Sequence, residues 1–315
     1  MNKTAQGIAL IGECMIELRR EPAHLNYRFG GDTLNTAIYL ARQLDAAFEV
    51  RYVTALGVDG FSHEMMQAWQ GEQICTDWVL QDQCRLPGMY LIETEDSGER
   101  HFHYWRSDSA AKYWLQHPAA PSVLAGLAEC RMIYLSGISL AILSAADRVV
   151  LLAELQKAKA AGSQIVFDNN YRQRLWESRE VAQANYRAIL QLADIALLTL
   201  DDEVALYGEE SVAAVIARAQ ACGVTEVVIK RGGSACIVAT AQMQIEISAE
   251  PVTKVVDTTA AGDSFAAGYL AARLQGMDYS AAAMQAHRLA GIVIQHPGAI
   301  IPRENMPSAQ AVAKG

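Results

Sequence analysis

The chain has 315 residues, of which 51% are hydrophobic and 19% are charged, so it can bury a core and is not intrinsically disordered. Its formal net charge of −9 argues against a nucleic-acid partner, because phosphate backbones are bound by clustered Lys and Arg. The six cysteines form no Cys-x-x-Cys pair, and no apolar run is long enough to span a membrane. Glu13 and Glu17 interrupt the apolar run that a signal peptide would need. These features predict a soluble, cytoplasmic protein with reduced thiols and no membrane contact.

Short apolar runs that suit strands recur along the chain, and helical patterns lie between them. The runs are residues 8–11, 51–55, 132–135, 164–167, 195–198 and 226–229. Continuous apolar character is typical of strands that are buried on both faces of a parallel sheet. Helices are predicted over 151–161 and 212–222, and each is followed by a glycine that favours a helix end, Gly162 and Gly223. The alternation predicts a doubly wound α/β fold in a single domain, residues 1–315.

Residues 86–106 depart from this alternation of strand and helix patterns. Two alternating runs flank Asp96-Ser97-Gly98, which is a hairpin signature. Together with the alternating stretch 13–20, they predict a small β-sheet lid formed by roughly residues 12–30 and 85–107. We expect the lid to hinge near Gly30–Gly31 and to cover the substrate. Because exposed strand edges tend to pair with other chains, we also expect a homodimer through the lid.

Residues 256–270 read VDTTAAGDSFAAGYL and carry the chemistry. The pattern predicts a strand that ends near Val256 and a helix whose first turn holds Ala261, Gly262 and Asp263. The free N–H groups of that turn make an anion site. A carboxylate beside it can accept the proton of a hydroxyl that attacks a phosphate. The alternative is that Asp263 only caps the helix and favours its dipole.

Three blocks of the chain resemble the signatures of the ribokinase-like (PfkB) carbohydrate kinases. They are DTTAAGDSFAAGYL at 257–270, GGDTLNTAIYLARQL at 30–44 and ALGVDGFS at 55–62. Within the family, the stretches IGECMIEL, LPGMYLIET and FDNNYR resemble the bacterial members that phosphorylate 2-keto-3-deoxygluconate. The resemblance implies a ribokinase-like doubly wound, mostly parallel sheet with a lid, and ATP-dependent phosphorylation of this sugar acid to its 6-phosphate. A kinase of another sugar, such as fructose, and a binding regulator without catalysis remain alternatives.

The resemblance also implies roles for individual residues. By this resemblance, Asp263 is expected to be the general base, and the amides around Ala260, Ala261 and Gly262 are expected to form the anion hole. Ala260 stands where the family usually has glycine, which leaves the phosphate geometry open. The implied substrate contacts are Gly30, Gly31, Asn35, Tyr90, Tyr104, Arg106, Arg172 and Asp263.

The two arginines carry the choice of a sugar acid, because a guanidinium pairs well with a carboxylate. The plainer alternatives are solvated arginines, tyrosines that only pack, and glycines that only turn the chain.

The nucleotide side of the site rests on weaker motifs. Lys230, Gly232 and Gly233 resemble the stretch that runs under ATP in the family, and Ala261 and Gly262 complete the predicted ATP contacts. Glu203 resembles the glutamate that organises Mg²⁺ through water, although Leu200 stands at the asparagine position of that motif.

Further polar residues are assigned more loosely. In several relatives of this family a K⁺ site lies where this chain has Asp257, Thr259 and the Gly298-Ala299 loop. His101 and His103 lack further ligands at suitable spacing, so we expect no metal there. His287 either touches the adenine or lies in the core.

Overall fold

The strands are built from the apolar runs of the sequence, and the computed structural model describes residues 5–20, 24–94, 100–208 and 211–307. The strands are β1 (Gln6–Ile11), β2 (Met15–Arg20), β3 (Leu25–Gly30), β4 (Phe48–Leu56), β5 (Val79–Gln81), β6 (Gly88–Thr94), β7 (Arg100–Trp105), β8 (Met132–Ser136), β9 (Gln164–Asp168), β10 (Ile195–Thr199), β11 (Glu226–Lys230), β12 (Cys236–Ala239) and β13 (Gln244–Ile247). All six predicted runs lie within strands.

The helices lie between these strands. They are α1 (Asp32–Gln43), α2 (Gly60–Gly71), α3 (Ala120–Leu127), α4 (Gly137–Ala141), α5 (Ala145–Ala161), α6 (Arg179–Leu190), α7 (Leu200–Tyr207), α8 (Val212–Ala221), α9 (Ala261–Leu274) and α10 (Tyr279–Val293). Gly162 and Gly223 follow α5 and α8 with φ of 108° and 101°, so the two predicted helix ends are confirmed. Within the described residues, no helix is long and apolar enough to cross a membrane.

The large sheet has the strand order β13-β12-β11-β10-β9-β8-β1-β4-β5. From β11 through β5 the pairings are parallel, whereas β12 and β13 add an antiparallel edge. The chain winds from β1 to β4 on one side, and β8 returns to the other side of β1. In doubly wound sheets, ligands bind beyond the carboxyl ends of the strands where the order reverses. The topology therefore predicts a ligand site beyond the carboxyl ends of β1 and β8.

Two apolar layers cover the large sheet, one on each face. Ile8 and Leu10 pack with α1, α2, α9 and α10, whereas Ala9 and Ile11 pack with α3, α5, α6 and α8. Successive residues of one strand thus enter different cores, as the alternation of side chains requires. This two-sided burial explains why the strands read as continuous apolar runs. The predicted doubly wound α/β fold is confirmed.

A small sheet stands beside the large one and has the order β3-β2-β6-β7. β2 pairs antiparallel with β3 and parallel with β6, and β6 pairs antiparallel with β7. The second sheet expected for this fold is therefore present, and the predicted turn at Asp96-Ser97-Gly98 lies outside the described residues. The single-domain boundary and the covering role of this sheet stay predictions.

One predicted strand is wrong. Residues 251–258 have no strand structure, and Val255 is 57% exposed. The backbone N–H groups of Val256 and Asp257 both donate to the carbonyl of Ile294, just beyond α10. This segment is therefore held by a helix end instead of a neighbouring strand.

Candidate active site

The first turn of α9 lies against the first turn of α1, and this contact builds the centre of the site. Ala260 precedes α9 with a φ of −109°, a conformation that suits any L-residue, so alanine causes no backbone strain where the family usually has glycine. Ala261, Gly262 and Asp263 follow in the first turn, as predicted. The structure thus presents backbone N–H groups and a carboxylate at one helix end.

Asp263 is oriented by the facing helix. The Asn35 Nδ2 atom donates to the Asp263 Oδ2 atom over 2.8 Å, and the Thr36 hydroxyl lies 3.4 Å from the carbonyl oxygen of Asp263. The buried Asn35 Oδ1 atom has no hydrogen-bond partner within the described part of the chain. An acceptor without a partner is costly, and a ligand hydroxyl would satisfy it. Asn35 is therefore suited both to orient Asp263 and to contact a substrate.

The surroundings of Asp263 make its carboxylate a stronger base. Burial raises the pKa of Asp263 well above its usual range, and the neighbouring Asp32 carboxylate raises this pKa further. The hydrogen bond from Asn35 and the charge of Lys230 oppose this rise in the pKa. The Asp32 carboxylate is itself held by Asn170, whose Nδ2 atom donates over 2.6 Å. A raised pKa matches what a general base needs near neutral pH.

Lys230 places a buried cation beside the same helix turn. It ends β11, and its Nζ atom lies 2.7 Å from the Asp168 Oδ2 atom, with both residues almost fully buried. A methyl group added at Gly262 would lie 3.7 Å from Lys230 Nζ, so the ammonium group is next to the predicted anion site. Gly232 and Gly233 lie in the exposed turn between β11 and β12, with Gly232 at a φ of 59°.

The two predicted carboxylate-binding arginines differ in their environment. Arg106 follows β7, its side chain is 12% exposed, and its Nη2 atom forms an ion pair with Glu13. Arg172 follows β9, its side chain is 53% exposed, and its Nη1 atom lies 3.6 Å from the Asp202 Oδ1 atom. Arg172 also donates to the carbonyl of Tyr171 over 2.9 Å. The Arg106 side chain is thus held in a buried ion pair, whereas the Arg172 side chain is half exposed.

The small sheet supplies the aromatic side chains. The Tyr90 hydroxyl donates to the Glu17 Oε2 atom over 2.5 Å, and the ring of Tyr104 lies 5.7 Å from that of Tyr90. A methyl group at Gly30 would lie 2.7 Å from the Tyr90 hydroxyl, and one at Gly31 would overlap a backbone oxygen. Close packing against the backbone therefore requires a glycine at Gly31, whereas a methyl group at Gly30 would require the Tyr90 hydroxyl to shift.

Glu203 is buried and held by two side chains. The Asn169 Nδ2 atom donates to its Oε1 atom over 2.9 Å, and the Arg218 Nη2 atom lies 2.6 Å from its Oε2 atom. Leu200 begins α7 and contributes no polar group. Asn169 also accepts from the backbone N–H of Thr199, so it links the ends of β9 and β10.

The remaining predicted polar residues mainly order the backbone. Asp257 accepts from the backbone N–H groups of Thr259 and Gly298, each over 3.0 Å. His287 lies on α10 and is half-buried, with its ring nitrogen 3.0 Å from the carbonyl oxygen of Ile247 and its ring 5.1 Å from that of Phe265. His103 is 2.9 Å from Glu93. In the described ranges no group of three or more His, Cys, Asp or Glu side chains can hold a metal.

Sequence patterns missed four acidic residues of this region, Glu13, Glu17, Asp32 and Asp168. Each is a charged residue next to or within an apolar or small-residue run, which is the signal that was available in the sequence. From the sequence, Glu13 and Glu17 were assigned no role in the site and were noted as interruptions of an apolar run.

Comparisons with known proteins identify the family and relatives of the chain. A family model described as "pfkB family carbohydrate kinase" matches residues 5–306. The chain is 53% identical to the 2-dehydro-3-deoxygluconokinase of Dickeya dadantii, with 97% of this chain and 100% of that protein covered. It is 52% identical to the 2-dehydro-3-deoxygluconokinase of Escherichia coli strain K12, with 96% and 99% covered. A fructokinase from Xylella fastidiosa, solved with bound ATP, has the same fold with a TM-score of 0.82 and 22% identity, with 97% and 96% covered.

Proposed function

The chain belongs to the pfkB family of carbohydrate kinases, and we propose that within this family it transfers the terminal phosphate of ATP to the 6-hydroxyl of 2-dehydro-3-deoxy-D-gluconate. The observation that carries the reaction type is the Asp263 carboxylate, held by Asn35 at a helix end that binds anions. The observation that carries the substrate is the sequence identity of at least 46%, along nearly the whole chain, to four relatives named 2-dehydro-3-deoxygluconokinase.

Asp263 acts as the general base in the proposed reaction. Its carboxylate takes the proton of the substrate hydroxyl while that oxygen forms a bond to the transferred phosphorus and the bond to the ADP oxygen breaks. The raised pKa of Asp263 strengthens it for this task. Asn35 keeps the carboxylate in one orientation and offers its unpaired Oδ1 atom to a sugar hydroxyl.

The N–H groups of Ala260, Ala261 and Gly262 and the ammonium group of Lys230 stabilise the negative charge that builds up on the transferred phosphate. A helix N-terminus and a buried cation act strongly here because little water screens them. Gly232 and Gly233 offer a side-chain-free surface that an adenine nucleotide can approach.

Mg²⁺ supplies charge neutralisation on the nucleotide phosphates when bound. Mg²⁺ is typically held by one or two carboxylates together with phosphates and water. Glu203, whose carboxylate is held by Asn169 and Arg218, would help to hold the ion through water. The K⁺ site near Asp257 and Thr259 stays a prediction, tested by replacing K⁺ in the assay.

Arg106 and Arg172 bind the substrate carboxylate, and Tyr90 and Tyr104 line the same pocket on the small sheet. The small sheet closes over the sugar near Gly30–Gly31 and excludes water, which protects ATP from hydrolysis.

Two copies of the chain form a homodimer through their small sheets, since β7 is an edge strand on which Phe102 and Trp105 are exposed. The six free cysteines, without a disulfide in the described residues, support a reducing cytoplasmic location.

A coupled assay of ADP release with a panel of sugars and sugar acids tests the proposal. We expect kcat/KM for 2-dehydro-3-deoxy-D-gluconate to exceed that for fructose by at least about a hundredfold, because fructose leaves two arginines without a carboxylate partner. Equal turnover of the two substrates contradicts the proposed substrate. Turnover of neither substrate, by a folded protein that binds ATP, contradicts the proposed kinase activity.

A further inference from the structure

Glu13 is a buried carboxylate in the short connection between β1 and β2. It is 2% exposed, and it lies at the carboxyl end of β1, where the strand order of the large sheet reverses. Glutamate is rarely buried to this degree unless it is paired. The residue is outside the predicted set of substrate and catalytic residues, so its charge requires a separate explanation.

Both oxygens of Glu13 are held by the segment that follows β7. The Ser109 hydroxyl donates to the Oε1 atom over 2.5 Å, and the Arg106 Nη2 atom donates to the Oε2 atom. Gly88 makes room for this contact, because a methyl group there would lie 2.8 Å from the Glu13 Oε1 atom and 3.1 Å from the Arg106 Cβ atom. The contact therefore joins the large sheet to the small sheet at one buried point.

The same contact leaves part of the Arg106 guanidinium group unused. Its Nε atom is buried and has no hydrogen-bond partner among the residues that the structure describes. A guanidinium group carries five N–H donors in one plane, so fixing one nitrogen fixes the direction of the others. A planar donor set with a fixed direction is what bidentate binding of a carboxylate requires.

We propose that Glu13 is a positioning residue that holds Arg106 for the substrate carboxylate and so sets the preference for a sugar acid. This inference rests on the proposed function and adds a residue that does not touch the substrate. Glu13 acts by restricting the rotation of the Arg106 side chain before the substrate binds. The substrate therefore does not have to immobilise this side chain, and less conformational entropy is lost on binding. Ser109 assists by fixing the second carboxylate oxygen.

The direction in which Glu13→Gln changes the affinity for the acid distinguishes positioning of Arg106 from a purely electrostatic role. The Glu13–Arg106 pair has no net charge, so Glu13→Gln leaves an additional positive charge near the substrate carboxylate. If Glu13 only neutralised Arg106, the variant would bind the acid more tightly. If Glu13 positions Arg106, the variant binds the acid more weakly despite the gain in positive charge.

The experiment compares the sugar acid with its neutral methyl ester as phosphate acceptors. For Glu13→Gln we expect the KM for the acid to rise at least about tenfold, with kcat within about threefold and the KM for the ester unchanged. Thermal-shift titration with the acid alone gives the same loss of affinity without turnover. Glu72→Gln is the matched control, because Glu72 pairs with Arg42 and Arg303 and lies outside the proposed site. It should leave both KM values unchanged.

Ser109→Ala keeps the test decisive if Glu13→Gln does not fold, and a double variant tests the coupling to Arg106 if it does. Ser109→Ala retains both charges and should raise the KM for the acid by about threefold. In an Arg106→Ala background, Glu13→Gln should have no additional effect on the ratio of acid to ester, because positioning acts only through Arg106.

The proposed function and the positioning role of Glu13 are refuted by different results. A wild-type enzyme that turns over neither the acid nor the ester refutes the proposed function, and one that turns over both equally refutes binding of the carboxylate by the arginines. A wild-type enzyme that prefers the acid, together with a Glu13→Gln variant whose KM for the acid is unchanged or lower, refutes the positioning role. For Ser109→Ala, an unchanged KM for the acid counts against it in the same way.

Discussion

Replacing Asp263 by asparagine removes the proposed base and keeps its shape. The side-chain oxygen of the new residue can still accept the hydrogen bond that Asn35 donates over 2.8 Å, so the local packing should survive. A positioned general base accelerates a reaction by about 10²–10⁴-fold, which corresponds to about 3–5 kcal/mol of transition-state stabilisation. We expect kcat to fall by about 10³-fold, because burial and Asp32 raise the pKa of this carboxylate and so strengthen the base.

The assay is steady-state ADP release with saturating ATP and 2-dehydro-3-deoxy-D-gluconate, together with urea unfolding of each variant. Asp278→Asn is the matched control, because Asp278 caps α10 and accepts from the N–H of Ala281 over 2.8 Å. Asparagine caps helices about as well as aspartate, so this control should change neither stability nor rate. A role of Asp263 in helix stability alone would lower stability and leave kcat intact.

The pH dependence of kcat/KM gives a second measure of the same base. The base must be deprotonated, so activity is present above the pKa of Asp263 and is lost as the pH falls through it. Asp32→Asn removes the neighbouring negative charge that raises this pKa. The acidic limb of the profile should therefore move to lower pH.

An Asp263→Asn variant that is folded and retains kcat within about threefold would refute the assignment of the base. An acidic limb that stays in place or moves to higher pH in Asp32→Asn would refute the electrostatic argument.

Three further changes test the substrate site and the packing around it. Arg106→Ala should raise the KM for the sugar acid by about 10–100-fold, whereas Arg172→Ala should raise it by no more than about fivefold, because exposed charges contribute less. Equal shifts in KM would contradict this difference. Lys230→Met should lower the free energy of unfolding by about 3–5 kcal/mol, since it leaves the buried Asp168 without its cation, and Asp168→Asn in the same chain should restore part of it. Gly31→Ala should lower the unfolding free energy by about 1–3 kcal/mol in urea titrations, because the methyl group overlaps a backbone oxygen, and an unchanged value would contradict the close packing.

The strands of the large sheet were predictable because their burial leaves a local signature. The run at 132–135 is apolar at each position, and β8 extends over Met132–Ser136 with both faces covered. The segment near Val256 shows the limit of this signature. Val255 and Val256 suit a strand by residue type, but within the described residues they belong to no strand, and the Val256 N–H donates to the carbonyl of Ile294 at the end of α10. Residue preference cannot supply a pairing partner.

In the candidate site, too, some features could be predicted from the sequence and others could not. The turn that holds Ala261, Gly262 and Asp263 was predictable, because small residues, a carboxylate and an apolar helical face follow one another in the chain. The orientation of Asp263 was not, because its partner Asn35 lies 228 positions away. Similarly, the sequence predicts that Gly30 and Gly31 matter, but the reason, close contact with Tyr90 and with the loop after β1, is visible only in three dimensions.

The doubly wound fold and the helix turn that holds Asp263 can be predicted from the sequence, because periodicity, glycine positions and first-turn residues act over a few neighbouring residues. The charge environment of the site is visible only in the folded chain. Lys230 meets Asp168 across 62 positions of the chain, and Arg106 meets Glu13 across 93. Coulomb attraction and desolvation depend on distance and burial in space, and the order of strands in the sheet sets both.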